Sequence, residues 1–270
     1  MNITTYIVDS FTNEPFKGNP AGVCILENDL GTTQMHTIAK ELGLSETAFI
    51  KKDASSNKYT IRFFSPKMEI PLCGHATLAA SQVLFERNAE MQQIHFVNIE
   101  HIDLLIEKIG DKIQMEFPIY ETTPAEVPKA LLAALGVNNV INSQYNVETE
   151  ILLLEIEDSI VLQGLKPNFE ALYKSHDTIN GVLVTATSKK TDFDFESRYF
   201  WPWSGTNEDP ATGGTHTFLA KYWSKRLHKT KMKSFQCSER TGFMEVELIS
   251  DTTFTITSMA KIVLEGSLKI

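Results

Sequence analysis

The chain carries a short internal repeat whose two copies lie half a chain apart. Residues 62–66, RFFSP, resemble residues 198–202, RYFWP, which begin 136 positions later. Each copy continues through a loop to a glycine and then into a helical pattern, at Gly74 in the first copy and at Gly214 in the second. A match of five residues can arise by chance, but the shared order of strand, loop, glycine and helix favours two related domains joined in one chain.

The predicted elements follow the same order in both halves. In the first half, the strand-like runs TAFI and YTIRFF precede the helical run HATLAASQVLFE. In the second half, GVLVTAT and SRYFW precede THTFLAKYW. Three prolines, Pro118, Pro124 and Pro128, interrupt the pattern between the halves. We therefore predict domains over residues 1–117 and 118–270, with a return of the last strand to the first domain as an open alternative.

Charge excludes two classes of partner. The 25 basic residues stand against 34 acidic residues, which gives a net charge of -9. This sign repels phosphate backbones and anionic lipid surfaces, and no run of Lys and Arg is long enough to offset it locally. We expect neither nucleic acid nor a membrane as a partner.

The N-terminus and the cysteines indicate a cytoplasmic location. The first residues, MNITTYIVDSF, have no basic start followed by an apolar run, and no apolar stretch reaches the roughly 18 residues of a membrane span. The three cysteines have no CxxC spacing, so they fit neither a disulfide scaffold nor a structural zinc site. We expect a soluble cytoplasmic protein.

The two glycine loops predict an anion site. A glycine at a helix start lets backbone N–H groups approach an anion, and the positive end of the helix dipole adds to the attraction. Gly74 stands at such a place in the first half, and Gly213 and Gly214 do so in the second. Plain tight turns are the alternative. Neither a P-loop nor a GxGxxG motif is present, so no nucleotide cofactor is expected.

Four residues near these loops are candidates for chemistry. His75 would lie in the first helical turn, where the dipole favours a neutral ring, although a surface or core role weighs equally. Asp209 could contact a ligand or act as a cap or turn residue before Pro210. Cys73 could be a thiolate at a helix start, but without a partner cysteine in the second loop we interpret it as a packing residue. Glu46, judged by local pattern, is a solvated residue after a helix.

No metal site is expected. The seven histidines are scattered, and no HxH or HExxH pair occurs.

Four motifs in order carry a resemblance to a known family. DSFTNEPFKGNPAGV, LSETAF, FFSPKMEIPLCGHATLAA and NEDPATGG together resemble the PhzF family, the phenazine-biosynthesis-like isomerases, over essentially the whole chain. The resemblance implies an α+β fold with two pseudo-symmetric diaminopimelate-epimerase-like domains. Each would be a mostly antiparallel sheet wrapped around a central helix, with the site in the cleft between them.

The resemblance also implies roles for individual residues. Glu46 of the LSE motif would be the acid/base that moves a proton on a small carboxylate-bearing substrate, and His75 and Asp209 would complete the catalytic set. The implied substrate-binding positions are Asn19, Ser45, Gly74, Gly213, Gly214 and Thr215. No metal or coenzyme takes part in this reaction, and a homodimer is plausible. A carboxylate with this role needs a pKa raised toward neutrality by partial burial.

One departure and two alternatives remain. Phenazine-pathway members carry serine where this chain has Gly214, so one donor to the substrate carboxylate is missing, and Thr215 would replace it only in part. The first alternative is an amino-acid racemase or epimerase that uses Cys73 opposite Asp209. The second is a non-catalytic small-molecule-binding protein on the same scaffold.

Overall fold

The computed structural model describes residues 1–270 and divides the chain into two compact units. The first unit contains residues 1–116 and 255–270, and the second contains residues 117–254. Compactness alone does not show that the two halves are duplicated folding units. The domains over residues 1–117 and 118–270 therefore remain a prediction.

Eighteen strands and six helices form the two units. The strands are β1 (Asn2–Ser10), β2 (Asn19–Leu26), β3 (Glu46–Lys52), β4 (Tyr59–Phe64), β5 (Glu69–Ile70), β6 (Gln93–Val97), β7 (Asp103–Ile109), β8 (Lys112–Pro118), β9 (Thr123–Pro124), β10 (Asn142–Asn146), β11 (Ile151–Glu155), β12 (Gly181–Thr187), β13 (Phe195–Trp201), β14 (Thr206–Asp209), β15 (Lys231–Gln236), β16 (Gly242–Leu248), β17 (Thr253–Ser258) and β18 (Ala260–Lys269). The helices are α1 (Thr32–Leu42), α2 (Gly74–Arg87), α3 (Lys129–Leu135), α4 (Ser159–Gly164), α5 (Phe169–Lys174) and α6 (His216–Leu227). A helix with the length and apolar character needed to span a membrane is absent.

The sheet of the first unit is mixed but mostly antiparallel. β1 lies between β2 and β18 and is antiparallel to both. β2 pairs in parallel with β3 across the connection that contains α1. β3 and β4 are antiparallel, and β4 then pairs in parallel with β6 across the connection that contains α2. The antiparallel pairs β6–β7 and β7–β8 complete this part of the unit.

Helix α2 is the central helix of the first unit. Nine of its 14 residues are buried, and it contacts β1, β2, β3 and β18. Its buried hydroxyl groups are satisfied along the helix itself: Thr77 Oγ1 donates to the Cys73 carbonyl and Ser81 Oγ donates to the Thr77 carbonyl, each at 2.7 Å. The helical run predicted from HATLAASQVLFE is confirmed.

The second unit repeats the strand order of the first. β10–β11 is antiparallel, β11–β12 parallel and β12–β13 antiparallel. β13 then pairs in parallel with β15 across the connection that contains α6, and β15–β16 is antiparallel. In the first unit the short strand β5 pairs with β4 ahead of the long helix α2. In the second unit the short strand β14 pairs with β13 ahead of the long helix α6. The predicted α+β fold with a mostly antiparallel sheet around a central helix in each half is confirmed.

A matching ion pair marks the repeat at the level of side chains. The Nε and Nη2 atoms of Arg62 donate to the two carboxylate oxygens of Glu69, both at 2.7 Å. Arg198 makes the same two contacts to Glu208, also at 2.7 Å. Each guanidinium lies over the ring of the phenylalanine two positions further along, at 5.3 Å and 4.9 Å from the centroid. The repeated arginine of the sequence therefore joins equivalent strands in the two units.

The loop between β1 and β2 depends on Gly18. This residue has a φ of +65°, and a Cβ atom there would lie 2.0 Å from the carbonyl oxygen of Ser10. The Ser10 hydroxyl in turn donates to the carbonyl of His75 at 2.7 Å. The end of β1, from which the loop begins, is thus attached to the first turn of α2.

We expect Gly18→Ala to destabilise the protein more than Gly110→Ala. Gly110 has a similar φ of +61°, but a Cβ atom there would meet no other atom within 4 Å, so its substitution reports the backbone strain alone, about 1–2 kcal/mol. The collision at Gly18 should add about 1–3 kcal/mol. Urea unfolding of both variants measures the difference, and equal losses in the two variants would contradict the collision.

Candidate active site

Four side chains gather in the first unit where β3 and α2 begin. Glu46 is the first residue of β3 and Ser45 precedes it. Cys73 is the N-cap of α2, and His75 is the second residue of that helix. In the sheet, Glu46 stands opposite Ala21 of β2 in a parallel register. The connection that leads into β3 and the connection that leads into α2 therefore end beside each other.

The His75 ring lies between a carboxylate and a thiol. Its Nε2 atom is 3.2 Å from Glu46 Oε2 and 3.4 Å from Ser45 Oγ. Its Nδ1 atom is 3.4 Å from Cys73 Sγ. The side chains of His75 and Glu46 are 11% and 14% exposed, so most solvent is excluded from both. The interpretation of Cys73 as a packing residue is incomplete, because its sulfur also contacts the ring.

The prediction of a neutral His75 is wrong. Burial lowers the pKa of His75, but the charge on Cys73, the hydrogen bond to that sulfur and the contact with Glu46 outweigh it. The pKa of His75 is consequently raised well above its ordinary value of 6.5. The helix dipole acts in the predicted direction, yet two acidic neighbours at close range are stronger.

The prediction of a raised pKa at Glu46 is also wrong. Burial does raise the pKa of Glu46, as expected. The hydrogen bond and charge of His75 and the hydrogen bond from Ser45 together lower the pKa of Glu46 by more than burial raises it, so it lies below the ordinary value of 4.5. Glu46 is therefore a carboxylate at neutral pH.

Three of these side chains carry metal-ligating atoms. One such atom each from Glu46, Cys73 and His75 lie within 4.8 Å of one another. The thiol and the carboxylate contact different nitrogens of the ring. An imidazole coordinates a metal ion through one nitrogen. An ion bound to all three residues would therefore require the thiol or the carboxylate to leave the ring nitrogen that it contacts now.

Two further predicted residues border this cluster. Asn19 begins β2, is buried and stands opposite Ser10 of β1. The carbonyl of Pro20, the next residue, accepts a hydrogen bond from Ser45 Oγ at 3.5 Å. Gly74 is the first residue of α2, whose first backbone N–H groups have no partner within the helix and no side-chain cap. The helix start therefore offers donors to an anion.

The remaining predicted residues lie together in the second unit. Asp209 ends β14 and is buried, and Thr212 Oγ1 donates to its carboxylate. Gly213 and Gly214 follow, and Thr215 is the N-cap of α6, with its hydroxyl donating to the Thr212 carbonyl at 3.1 Å. Asp209 is therefore a strand residue facing its own loop and does not cap the helix.

A glutamine that the sequence did not single out fixes this loop. Gln236, the last residue of β15, accepts from the Thr212 N–H at 2.8 Å and donates to the Asp209 carbonyl at 2.6 Å. It lies 24 and 27 positions further along the chain than these partners. No local motif marks it, because its importance arises from the pairing of strands.

The second unit also contains a histidine of opposite character. His216 is fully buried, and its Nε2 atom lies 2.8 Å from Ser234 Oγ. Burial lowers its pKa to about 4, against smaller effects of the Thr212 and Gly213 backbone. A helix start with no acidic neighbour thus holds a neutral ring, in contrast to His75.

The comparisons with known proteins agree with one another. The family model of phenazine biosynthesis-like proteins, PhzC-PhzF, matches residues 8–266. The mouse phenazine biosynthesis-like domain-containing protein 1 is 39% identical over 99% of both chains. An uncharacterized isomerase of Halalkalibacterium halodurans is 38% identical over 95% of both chains.

The fold comparison gives the same result. The crystal structure of a phenazine biosynthesis protein of the PhzF family from Enterococcus faecalis has a TM-score of 0.92 at 35% identity, with all of both chains covered. The predicted diaminopimelate-epimerase-like fold class is confirmed. The chain therefore belongs to the PhzF family of phenazine biosynthesis-like proteins.

Proposed function

We propose that the protein is an isomerase that moves a proton between two carbon atoms of a small carboxylate-bearing substrate, without metal or coenzyme. The contact between Glu46 and His75 carries the proposal, because it joins a base to an acid in a shielded place. A relative named as an isomerase supports the reaction class.

The two pKa shifts assign the roles. Glu46 has a lowered pKa and is ionised, so it takes the proton from the first carbon. The electron pair left behind moves into the conjugated system of the substrate. Glu46 then delivers a proton to a second carbon. Because its carboxyl proton exchanges with solvent between the two steps, the substrate gains one solvent-derived proton for the one it loses, and no electron or group is gained or lost. Opposite shifts in neighbouring groups commonly separate base from acid in this way.

His75 compensates for the weak basicity of Glu46. A lowered pKa makes Glu46 a poorer base, so the negative charge that develops on the substrate needs stabilisation. The cationic ring of His75 supplies it through a charge-assisted hydrogen bond to a substrate oxygen or nitrogen. The Ser45 hydroxyl, at 3.4 Å from Nε2, is the contact that such a group would replace.

Helix starts and uncharged polar groups bind the substrate in this proposal. The N–H groups at Gly74 bind the carboxylate, with Asn19 and Ser45 beside them. We propose ligand contacts for the loop of the second unit as well: Asp209 accepts from an amino or hydroxyl group, and Gly213, Gly214 and Thr215 provide donors. Because the chain carries a net charge of -9, local donors rather than the overall field attract the anion.

We expect Glu46→Gln to lose about 100- to 10,000-fold in rate while it keeps its fold, since a positioned acid/base contributes that much. The assay incubates the protein in deuterium oxide with a panel of amino and hydroxy carboxylates and follows deuterium on carbon by mass spectrometry. Glu41→Gln, the same change on the exposed side of α1, is the matched control.

Full exchange in Glu46→Gln would remove Glu46 from the mechanism. Binding of panel members by calorimetry without any exchange in the wild type would favour the non-catalytic binding protein.

A second candidate function, an amino-acid racemase or epimerase, is favoured by one contact. Cys73 Sγ lies 3.4 Å from His75 Nδ1, where a thiol could serve as the base in place of Glu46. This alternative requires Cys73→Ser to abolish exchange while Glu46→Gln retains it, and it requires inversion at one carbon instead of movement of a double bond.

We expect Gly214→Ser to keep its stability and to bind 2-aminobenzoate about tenfold more tightly, because a hydrogen bond to a charged group is worth about 1.5 kcal/mol or more. No atom lies within 4 Å of a Cβ atom at Gly214, and its φ is not in the left-handed region. Gly164→Ser, at an equally open position in α4, is the control. Unchanged affinity in Gly214→Ser would exclude this position from carboxylate binding.

A further inference from the structure

We propose that Cys73 and His75 form a thiolate–imidazolium pair, which makes Cys73 a covalent modification site for small α,β-unsaturated carbonyl compounds. This chemistry goes beyond the proposed proton transfer, because it requires the sulfur and not the Glu46 carboxylate as the attacking atom.

The order of the contacting groups is that of a nucleophile, a base and an orienting acid. Cys73 Sγ lies 3.4 Å from Nδ1 of His75, and Nε2 of the same ring lies 3.2 Å from Glu46 Oε2. In such arrangements the imidazole takes the proton of the nucleophile and the third group holds the ring in place. Ser45 contacts the ring through an uncharged hydroxyl, and Ser10 contacts only the backbone carbonyl of His75, so the thiol and the carboxylate set the charge of the ring.

The place of Cys73 in the fold favours the thiolate. It is the N-cap of the 14-residue helix α2, and no side-chain hydrogen bond caps that helix. The positive end of the helix dipole and the His75 cation both stabilise a negative sulfur there. The Glu46 carboxylate stabilises the imidazolium at the same time. The raised pKa of His75 agrees with this distribution of charge.

The chain provides its own comparison in its other two cysteines. Cys24 lies in β2, is fully buried and has a pKa raised to about 11 by burial, against a smaller opposing effect of Thr5. Burial, together with the charge of Glu196, raises the pKa of Cys237 to about 12. Both are neutral thiols at physiological pH.

The reaction is a simple addition. The sulfur of Cys73 attacks the β carbon of the unsaturated carbonyl compound and forms a C–S bond, while the electron pair of the C=C bond moves toward the carbonyl. The α carbon then receives the Nδ1 proton of His75, which regains a proton from solvent. No oxidant, reductant or leaving group is needed.

Acrylamide labelling of the folded protein, followed by mass spectrometry of the three cysteine peptides, tests the proposal. We expect Cys73 to react at least about tenfold faster than Cys24 and Cys237 at neutral pH, because the thiolate is the nucleophile. Its rate should change little with pH near neutrality, where an ordinary thiol with a pKa of about 8.5 gains about tenfold per pH unit. In His75→Gln the rate should fall and the ordinary pH dependence should return.

A second measurement separates charge from access. The ultraviolet absorbance of a thiolate, taken as the difference between wild type and Cys73→Ser, should be present at neutral pH and lost in His75→Gln. Cys73 is buried, as Cys24 is, whereas Cys237 is partly exposed, so faster labelling of Cys73 would not follow from exposure. Absence of the thiolate signal, an ordinary pH dependence of labelling, or failure of acrylamide to label Cys73 faster than Cys24 and Cys237 each overturns the proposal. Neither measurement uses an isomerase substrate, so the outcome is independent of the proposed function.

Discussion

The contacts of one imidazole ring determine what the site of the first unit can do. His75 has a carboxylate at one ring nitrogen and a thiol at the other, and its backbone carbonyl accepts a hydrogen bond from Ser10 at the end of β1. Its positive charge keeps Glu46 ionised, and Glu46 in turn keeps the ring protonated. Because Glu46 and His75 each fix the charge of the other, the removal of either would change the protonation of the one that remains.

The scaffold holds these groups by repeating one arrangement. In each unit a parallel strand pair is connected across a buried helix, and a bidentate arginine–glutamate pair joins the strands ahead of that helix. The two helices begin differently. The N-cap of α2 is Cys73, which lies beside a cation, whereas the N-cap of α6 is Thr215, which follows a loop fixed by Gln236. The two units thus share a strand order and differ at the starts of their long helices.

Much of the fold was predictable from the sequence because it depends on local patterns. The repeat around Arg62 and Arg198 predicted two similar halves, and HATLAASQVLFE predicted the central helix. The grouping of Glu46 with His75 came from the family motifs, since 29 positions separate them in the chain. The protonation states could not be predicted, because burial, the helix dipole and contacts between distant residues act in opposite directions. The contacts of Gln236 depend on strand pairing, and the contact between Cys73 and His75 depends on how two side chains are oriented at the start of one helix.

Nitrogen NMR of histidine-labelled protein across a pH series tests the charge of His75 most directly. We expect the His75 ring to be cationic at neutral pH and to lose its proton only well above its ordinary pKa of 6.5, while His216 stays neutral until the pH falls to about 4. Glu46→Gln should lower the pKa of His75. A His75 ring that is neutral at pH 7, or that titrates in the same range in the wild type and in Glu46→Gln, would contradict the coupling on which the site depends.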